Sequence, residues 1–176
     1  MSIERQQFIE PSVLCDEVKN TVELLEKNEE PIDFLSVVPD GEPTLDSNLC
    51  SLLDCLSSVP YKSAVITNGS LLWDSEVRET LRKADWVSLK VDAVSPEVWK
   101  KINRPHKSLS LHAIHEGIIE FAHNFQGRLA TETMFLKDFN DTEEEAGKIS
   151  ELLAKLSPDT AYLAVPTRPP AVGSVR

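Results

Sequence analysis

The chain has 176 residues, enough for one domain with a real core, and its 41% hydrophobic and 27% charged residues exclude a disordered polymer. A formal net charge of −11 argues against a stand-alone nucleic-acid binder, because phosphate contacts need clustered Lys and Arg. No apolar run reaches membrane-spanning length and MSIERQQF holds no signal-peptide core, so a cytoplasmic protein is expected, with its three cysteines as reduced thiols.

In chain order, Pro11 and Ser12 open a helix with apolar positions at Val13, Leu14, Val18, Val22 and Leu25, ended by Asn28 and Pro31. Residues 32–38 are rich in β-branched and aromatic side chains and read as a buried strand, closed by the turn signal Asp40-Gly41. Asp46 opens a helix near 46–58. KSAVIT (62–67) is a second strand ending in Asn68-Gly69, and Asp74 caps a helix over 75–83. WVSLKVD (86–92) is a third strand, Ser95-Pro96-Glu97 a helix start, and a longer helix runs from about 109 to 124. A fourth strand, RLATETMF, follows Gly127. Asn140-Asp141-Thr142 begins a helix to 156, and 160–165 is a fifth strand.

Strands alternating with helices imply a parallel sheet. The order begins with a helix, so one strand is expected to be missing upstream of Met1. The predicted architecture is α/β: an incomplete (βα)6 partial TIM-type barrel with five parallel strands, forming a single domain over 1–176.

Ligands of such folds bind at the carboxyl ends of the strands, which singles out Gly41-Glu42-Pro43. Gly41 lets backbone approach closely, and Glu42 can accept hydrogen bonds from a ligand ammonium; the plain alternative is a solvated turn. Alternation in the third and fourth strands puts Ser88, Lys90 and Asp92, and Ala130, Glu132 and Met134, on lumenal faces. Lys90 and Glu132 are costly to bury unless paired, so they are either a structural ion pair or part of a ligand site. Asn103, Arg104 and His106, in the loop after a short helix, together suit an anionic or polar substrate or are ordinary surface groups. His112 and His115 form an i, i+3 pair without a third ligand, so half-buried or solvated histidines are expected rather than a metal site. Cys15, Cys50 and Cys55 match no zinc or cluster spacing and read as core thiols.

Taken together, DGEPTL, ITNGSLLW, DWVSLKVDA, INRPH, TETMFLKDFND and VPTRPPA resemble the radical S-adenosylmethionine (SAM) superfamily. The likeness is greatest to its archaeal and bacterial iron–sulfur oxidoreductases related to wyosine-type tRNA-modifying enzymes. That resemblance implies SAM and a [4Fe–4S] cluster at the strand ends. By the family pattern Gly41, Glu42 and Pro43 would contact the SAM amino group, and Asn68, Ser88 and Asp92 would lie around the cofactor. It also makes Lys90 and Glu132 candidate catalytic groups and Arg104, His106 and Arg168 candidate substrate contacts. The intact protein would cleave SAM reductively to a 5′-deoxyadenosyl radical.

The sequence departs from the family at one point. The C-x3-C-x2-C run that holds the cluster is absent, and the three cysteines cannot mimic it. ERQQFIEP resembles the segment just downstream of that run, so the chain is expected to be truncated or mis-started, without cluster ligands and inactive alone. Two other readings compete: a barrel enzyme using Lys90 as a Schiff-base lysine, and a non-catalytic remnant or binding module. A tRNA substrate is implied by the resemblance but disfavoured by the charge. Self-association through the edge where the first strand is missing is also expected.

Overall fold

In the computed structural model, residues 3–167 are described. Five strands form one parallel sheet in sequence order: β1 (Phe34–Val37), β2 (Lys62–Thr67), β3 (Trp86–Lys90), β4 (Arg128–Met134) and β5 (Thr160–Ala164). Helix α1 (Pro11–Lys27) precedes the first strand, and between the strands lie α2 (Leu49–Leu56), α3 (Ser75–Leu81), α4 (Pro96–Asn103), α5 (Leu111–Asn124) and α6 (Glu143–Leu156). The expected α/β partial barrel with five parallel strands is the observed fold. No helix among the described residues is long and apolar enough to cross a membrane.

The alternation read from the sequence decides which face of the sheet is covered. Val65, Val87 and Leu129 are register partners in one row and are buried beneath the helices. They meet Leu53, Leu81, Ile118, Phe121 and Leu152 in one apolar core. Each such side chain contributes about 1.5–3 kcal/mol by leaving water. The opposite face carries the row Ile66, Ser88, Ala130 and Thr160, and one step further Lys90, Glu132 and Tyr162. Ile66 and Tyr162 are exposed there, so this face is the open lumen.

Among the described residues, three of the six α-helices start at a side-chain cap. Asp74 accepts from the Glu76 N–H, Ser110 from Ala113 and Thr142 from Glu145. Two starts differ from expectation. Asp46 ends a 3₁₀ turn, Pro43–Leu45, and α2 begins three residues later. Ser95 sits at the cap position of α4, but its hydroxyl does not cap the helix. The Glu145 carboxylate from α6 takes the Val94 and Ser95 N–H groups instead, at 2.6 and 2.9 Å.

The expectation of three reduced thiols is corrected. Cys15 of α1 and Cys55 of α2 are joined as a disulfide, 40 residues apart in sequence with Cα atoms 6.2 Å apart, within the span such a bond requires. The physical reason is that α1 packs against α2, a long-range contact that spacing along the chain does not reveal. Cys50 is free. β1 is an edge strand, and an apolar groove of about 550 Å³ lies between it and α1, lined by Leu14, Val18, Leu35 and Val37.

Candidate functional site

A cavity of about 460 Å³ opens at the carboxyl ends of β1, β2 and β3, where the loop after each strand contributes to the wall. That volume lies in the range of small-molecule and cofactor sites. Gly41, Glu42 and Asn68 line it from the loops after β1 and β2, Lys90 and Asp92 from the end of β3, and Asn103, His106 and His115 from α4, the loop after it and α5.

Glu42 is positioned by its own neighbours. Its Oε1 accepts from the Thr44 N–H (3.1 Å), the Thr44 hydroxyl (2.7 Å) and the Thr67 hydroxyl (2.5 Å), and Oε2 accepts from the Asn68 N–H (2.8 Å). One carboxylate thus caps the 3₁₀ turn and fastens it to the end of β2. The Thr67 hydroxyl in turn accepts from the Gly69 N–H at 3.1 Å, and the Asn68 Oδ1 accepts from the Ser70 N–H at 2.8 Å. Gly69 holds a φ of +70°, the left-handed conformation that favours glycine. Charge-assisted hydrogen bonds of this kind are the strong ones, so the rim is set before any ligand arrives. Arg5 adds a strap from the other side, donating to the Thr44 and Asp46 carbonyls and pairing with Glu76.

At the base, Lys90 and Glu132 are register partners on adjacent strands and pair at 2.9 Å. Their side chains are 35% and 42% exposed, so the open lumen spares them most of the burial cost expected from mid-strand charges. Asp92 is only 5% exposed. Burial pushes its carboxyl above the ordinary 3.8, opposed by the Met134 N–H at 3.0 Å, the nearby Lys90 and the Asn103 amide at 3.4 Å. Asn140 is fully buried behind it. Its amide donates to the Asp92 and Met134 carbonyls (2.8 and 2.9 Å) and its Oδ1 accepts from the Leu136 N–H (2.6 Å), locking the ends of β3 and β4 together.

Glu145 supports this end from α6. Its burial pushes the carboxyl upward, but hydrogen bonds from Ser95 and the Val94 N–H, with Lys148 nearby, outweigh that and hold it below its ordinary value. His115 projects from α5 into the cavity wall. Burial pushes its imidazole below the ordinary 6.5, partly offset by a hydrogen bond to the Ala93 backbone.

The structure therefore brings Gly41, Glu42, Asn68, Lys90, Asp92 and His106 to one cavity. Pro43 is buried as the first residue of the 3₁₀ turn, and Ser88 is buried one register step deeper; neither lines the cavity. Glu132 reaches the site through Lys90. Arg104 is an exposed left-handed cap of α4 with φ 46°, outside the cavity wall. Arg168 lies outside the described residues. Asn103, singled out together with Arg104 and His106, also lines the cavity, while His115, Asn140 and Glu145 complete the site without having been singled out for it. Their only sequence signal is a polar residue at the end of, or facing inward from, an element next to a strand end.

No group of three or more His, Cys, Asp or Glu among the described residues is arranged to hold a metal ion. With Cys15 and Cys55 bonded to each other, Cys50 is the one free thiol, and the residues present do not fit a [4Fe–4S] cluster. The cavity has room for a molecule the size of SAM, and its wall carries acceptors together with the Lys90 ammonium, which is paired to Glu132.

No family model matches the chain. A UPF0026 protein of Methanocaldococcus jannaschii is 44% identical over 170 residues, covering 97% of this chain and 52% of that protein. The chain thus spans about half the length of the curated relatives it matches. Among solved structures, TYW1 with a lysine-pyruvate adduct bound superposes with a TM-score of 0.69 at 16% identity, covering 99% of this chain and 61% of that one. A radical SAM methyltransferase from Sphaerobacter thermophilus gives 0.67 at 12% identity, covering 95% and 50%. These likenesses carry the fold. The chain shares the fold of these solved structures, and in sequence it is similar to the UPF0026 proteins.

Proposed function

We propose that this chain forms the SAM-binding part of a radical SAM core, and that the whole protein to which such a core belongs cleaves SAM reductively to a 5′-deoxyadenosyl radical. The observation that supports it most is the cavity at three adjacent strand ends, rimmed by a Gly-Glu-Pro loop that is preorganised by four hydrogen bonds to one carboxylate. Bound SAM would supply the sulfonium whose bond is cleaved. This chain's residues would do the binding. The Gly41 backbone is exposed at the rim, and Glu42 Oε2, which accepts only from the Asn68 N–H, keeps one lone pair for an ammonium. Asn68 sits beside it, and Lys90 offers a cation to a carboxylate. A cluster would have to be held by cysteines other than Cys15, Cys50 and Cys55.

Equilibrium dialysis of the purified chain with SAM is the direct test. Saturable one-to-one binding is expected, weakened about tenfold by Lys90→Ala, the loss of one charge-assisted contact. Absence of saturable binding would remove the proposal. In parallel, anaerobic reconstitution with iron and sulfide is expected to leave this polypeptide without a stoichiometric cluster. A full cluster signal would show that the fit of its cysteines has been misjudged.

A further inference from the structure

Residues 5–9 are fastened to the rim as a short parallel ribbon. Gln6 and Asp46 form a parallel bridge, in which the Gln6 N–H donates to the Leu45 carbonyl and the Ser47 N–H to the Gln6 carbonyl, both at 3.0 Å. The Asn48 amide donates to the Ile9 carbonyl at 3.1 Å, and Arg5 reaches the Thr44 carbonyl at 3.2 Å. Ile3, just before the ribbon, and Leu45 within it line the cavity. Helix α1 follows one side of the ribbon and α2 the other, and Cys15 and Cys55 stand equally far beyond the bridged pair. Their disulfide closes a covalent loop over 15–55 that contains β1, Gly41, Glu42 and the Pro43–Leu45 turn.

Helix α1 is otherwise thinly held. Of its 17 residues only Cys15 and Val22 are buried. Val13 and Leu24 are exposed, and the groove against β1 leaves Leu14 and Val18 half-covered. Its far end is tied by an exposed hydrogen bond from the Tyr61 hydroxyl to Glu26 at 2.8 Å. A helix with so few buried apolar contacts belongs to the part of a fold that opens first. The bond that holds it is within reach of solvent, because Cys55 is half-buried on α2 while Cys15 is the more enclosed partner.

We infer that the Cys15–Cys55 disulfide is a redox clamp on the rim. Closed, it holds α1 and the 5–9 ribbon against the Glu42 loop; opened by a dithiol reductant, it releases both and weakens ligand binding in the cavity. A thiolate of the reductant attacks the Cys55 Sγ, and the Cys15 Sγ leaves as a thiolate and takes up a proton. The reductant's second thiolate then attacks its own sulfur in the mixed disulfide and frees Cys55, which is protonated in turn. Two electrons and two protons pass to the chain, and the dithiol becomes a disulfide. Glu42 keeps its bonds to Thr44, Thr67 and Asn68 throughout, so opening weakens the site without dismantling it. The effect on binding rests on the SAM-binding reading above; the release of α1 does not.

The test uses the full chain carrying Cys50→Ser, so that no other thiol can enter the exchange. Dithiothreitol under native conditions is expected to uncover both thiols, counted with a chromogenic disulfide reagent. Amide hydrogen exchange over residues 3–27 is then expected to quicken by about a hundredfold, that over 41–45 to quicken less, and that in β2, β3 and β4 to stay unchanged. Calorimetric titration with S-adenosylhomocysteine is expected to show about tenfold tighter binding to the oxidised form. Cys55→Ser should match the reduced form with or without the dithiol. A bond that resists the dithiol, or exchange over 3–27 that does not change once both thiols are free, would overturn the clamp. Equal affinity of the two forms would overturn its link to the cavity and leave the SAM-binding reading standing. If neither form bound the compound, the SAM-binding reading would fall, and quickened exchange over 3–27 and 41–45 would still support the clamp.

Discussion

Glu42→Ala is expected to destabilise the fold by about 3–4 kcal/mol and to abolish measurable SAM binding, an effect far beyond that of an ordinary turn carboxylate. The carboxylate accepts four hydrogen bonds, two of them from hydroxyls that are nearly inaccessible: Thr44 is 1% exposed and Thr67 2%. Truncation leaves both hydroxyls and two backbone N–H groups to find new partners, at about 1–3 kcal/mol for each donor stranded out of water. Water entering from the cavity will satisfy some of them, which is why the total is set below the sum. Glu42→Gln separates charge from shape. Its carbonyl oxygen can serve the two threonines, but its amide then confronts the Asn68 N–H, donor against donor, for a cost of about 1–2 kcal/mol. Urea unfolding followed by circular dichroism reads both variants, with the m-value expected to stay constant. A loss under 1 kcal/mol for the alanine variant would mean that the rim is held by the threonines' packing and not by this carboxylate.

What was legible in the sequence is what repeats with a period. The alternation of WVSLKVD and LATETMF placed Val87 and Leu89 under the helices and Lys90 with Glu132 on the lumen, and the register pairs those two charges directly. The Gly-Glu-Pro loop could be assigned to a strand end because an apolar run stops just before it. The partners of Glu42 could not, since Thr67 and Asn68 lie 25 and 26 residues away on the next strand. Asn140 looked like a helix start because Asn favours caps, yet its side chain bridges two strand ends while Thr142 does the capping. His115 was masked by its helix: one histidine among apolar residues at helical spacing looks the same whether it faces core, solvent or cavity. Cys15 and Cys55 failed for the same reason, as packing between α1 and α2 is a contact in space with no local signal. Periodicity tells which face a residue lies on; it does not tell what stands opposite.

Gly117→Ala should invert the sign expected from helix propensity. In an exposed helix interior the change stabilises by about 1 kcal/mol, because glycine loses more backbone freedom on folding. Gly117 faces inward from α5, and a Cβ there would stand 2.1 Å from the Leu72 carbonyl oxygen, 2.5 Å from its carbon and 2.8 Å from the Trp73 nitrogen. These are backbone atoms, so no rotamer change relieves the clash and the helix must move outward. That turn cannot yield instead, because Arg78 donates to the Leu72 and Trp73 carbonyls at 2.7 and 3.0 Å while its other nitrogen pairs with Glu120 of α5 at 2.7 Å. Displacing α5 would lift Ile114, Ile118 and Phe121 from the core and widen the cavity that His115 lines. Overpacking against an unyielding backbone is expected to cost about 2–4 kcal/mol net of the propensity gain. Gly147 on α6 supplies the internal control: nothing lies within 4 Å of a Cβ built there, and Gly147→Ala should raise stability by about 0.5–1 kcal/mol. Urea midpoints that move in opposite directions for the two alanines are the expected result. If Gly117→Ala moved the midpoint upward as well, α5 would not be pressed against the 71–73 turn, and the wall of the cavity would need to be placed elsewhere.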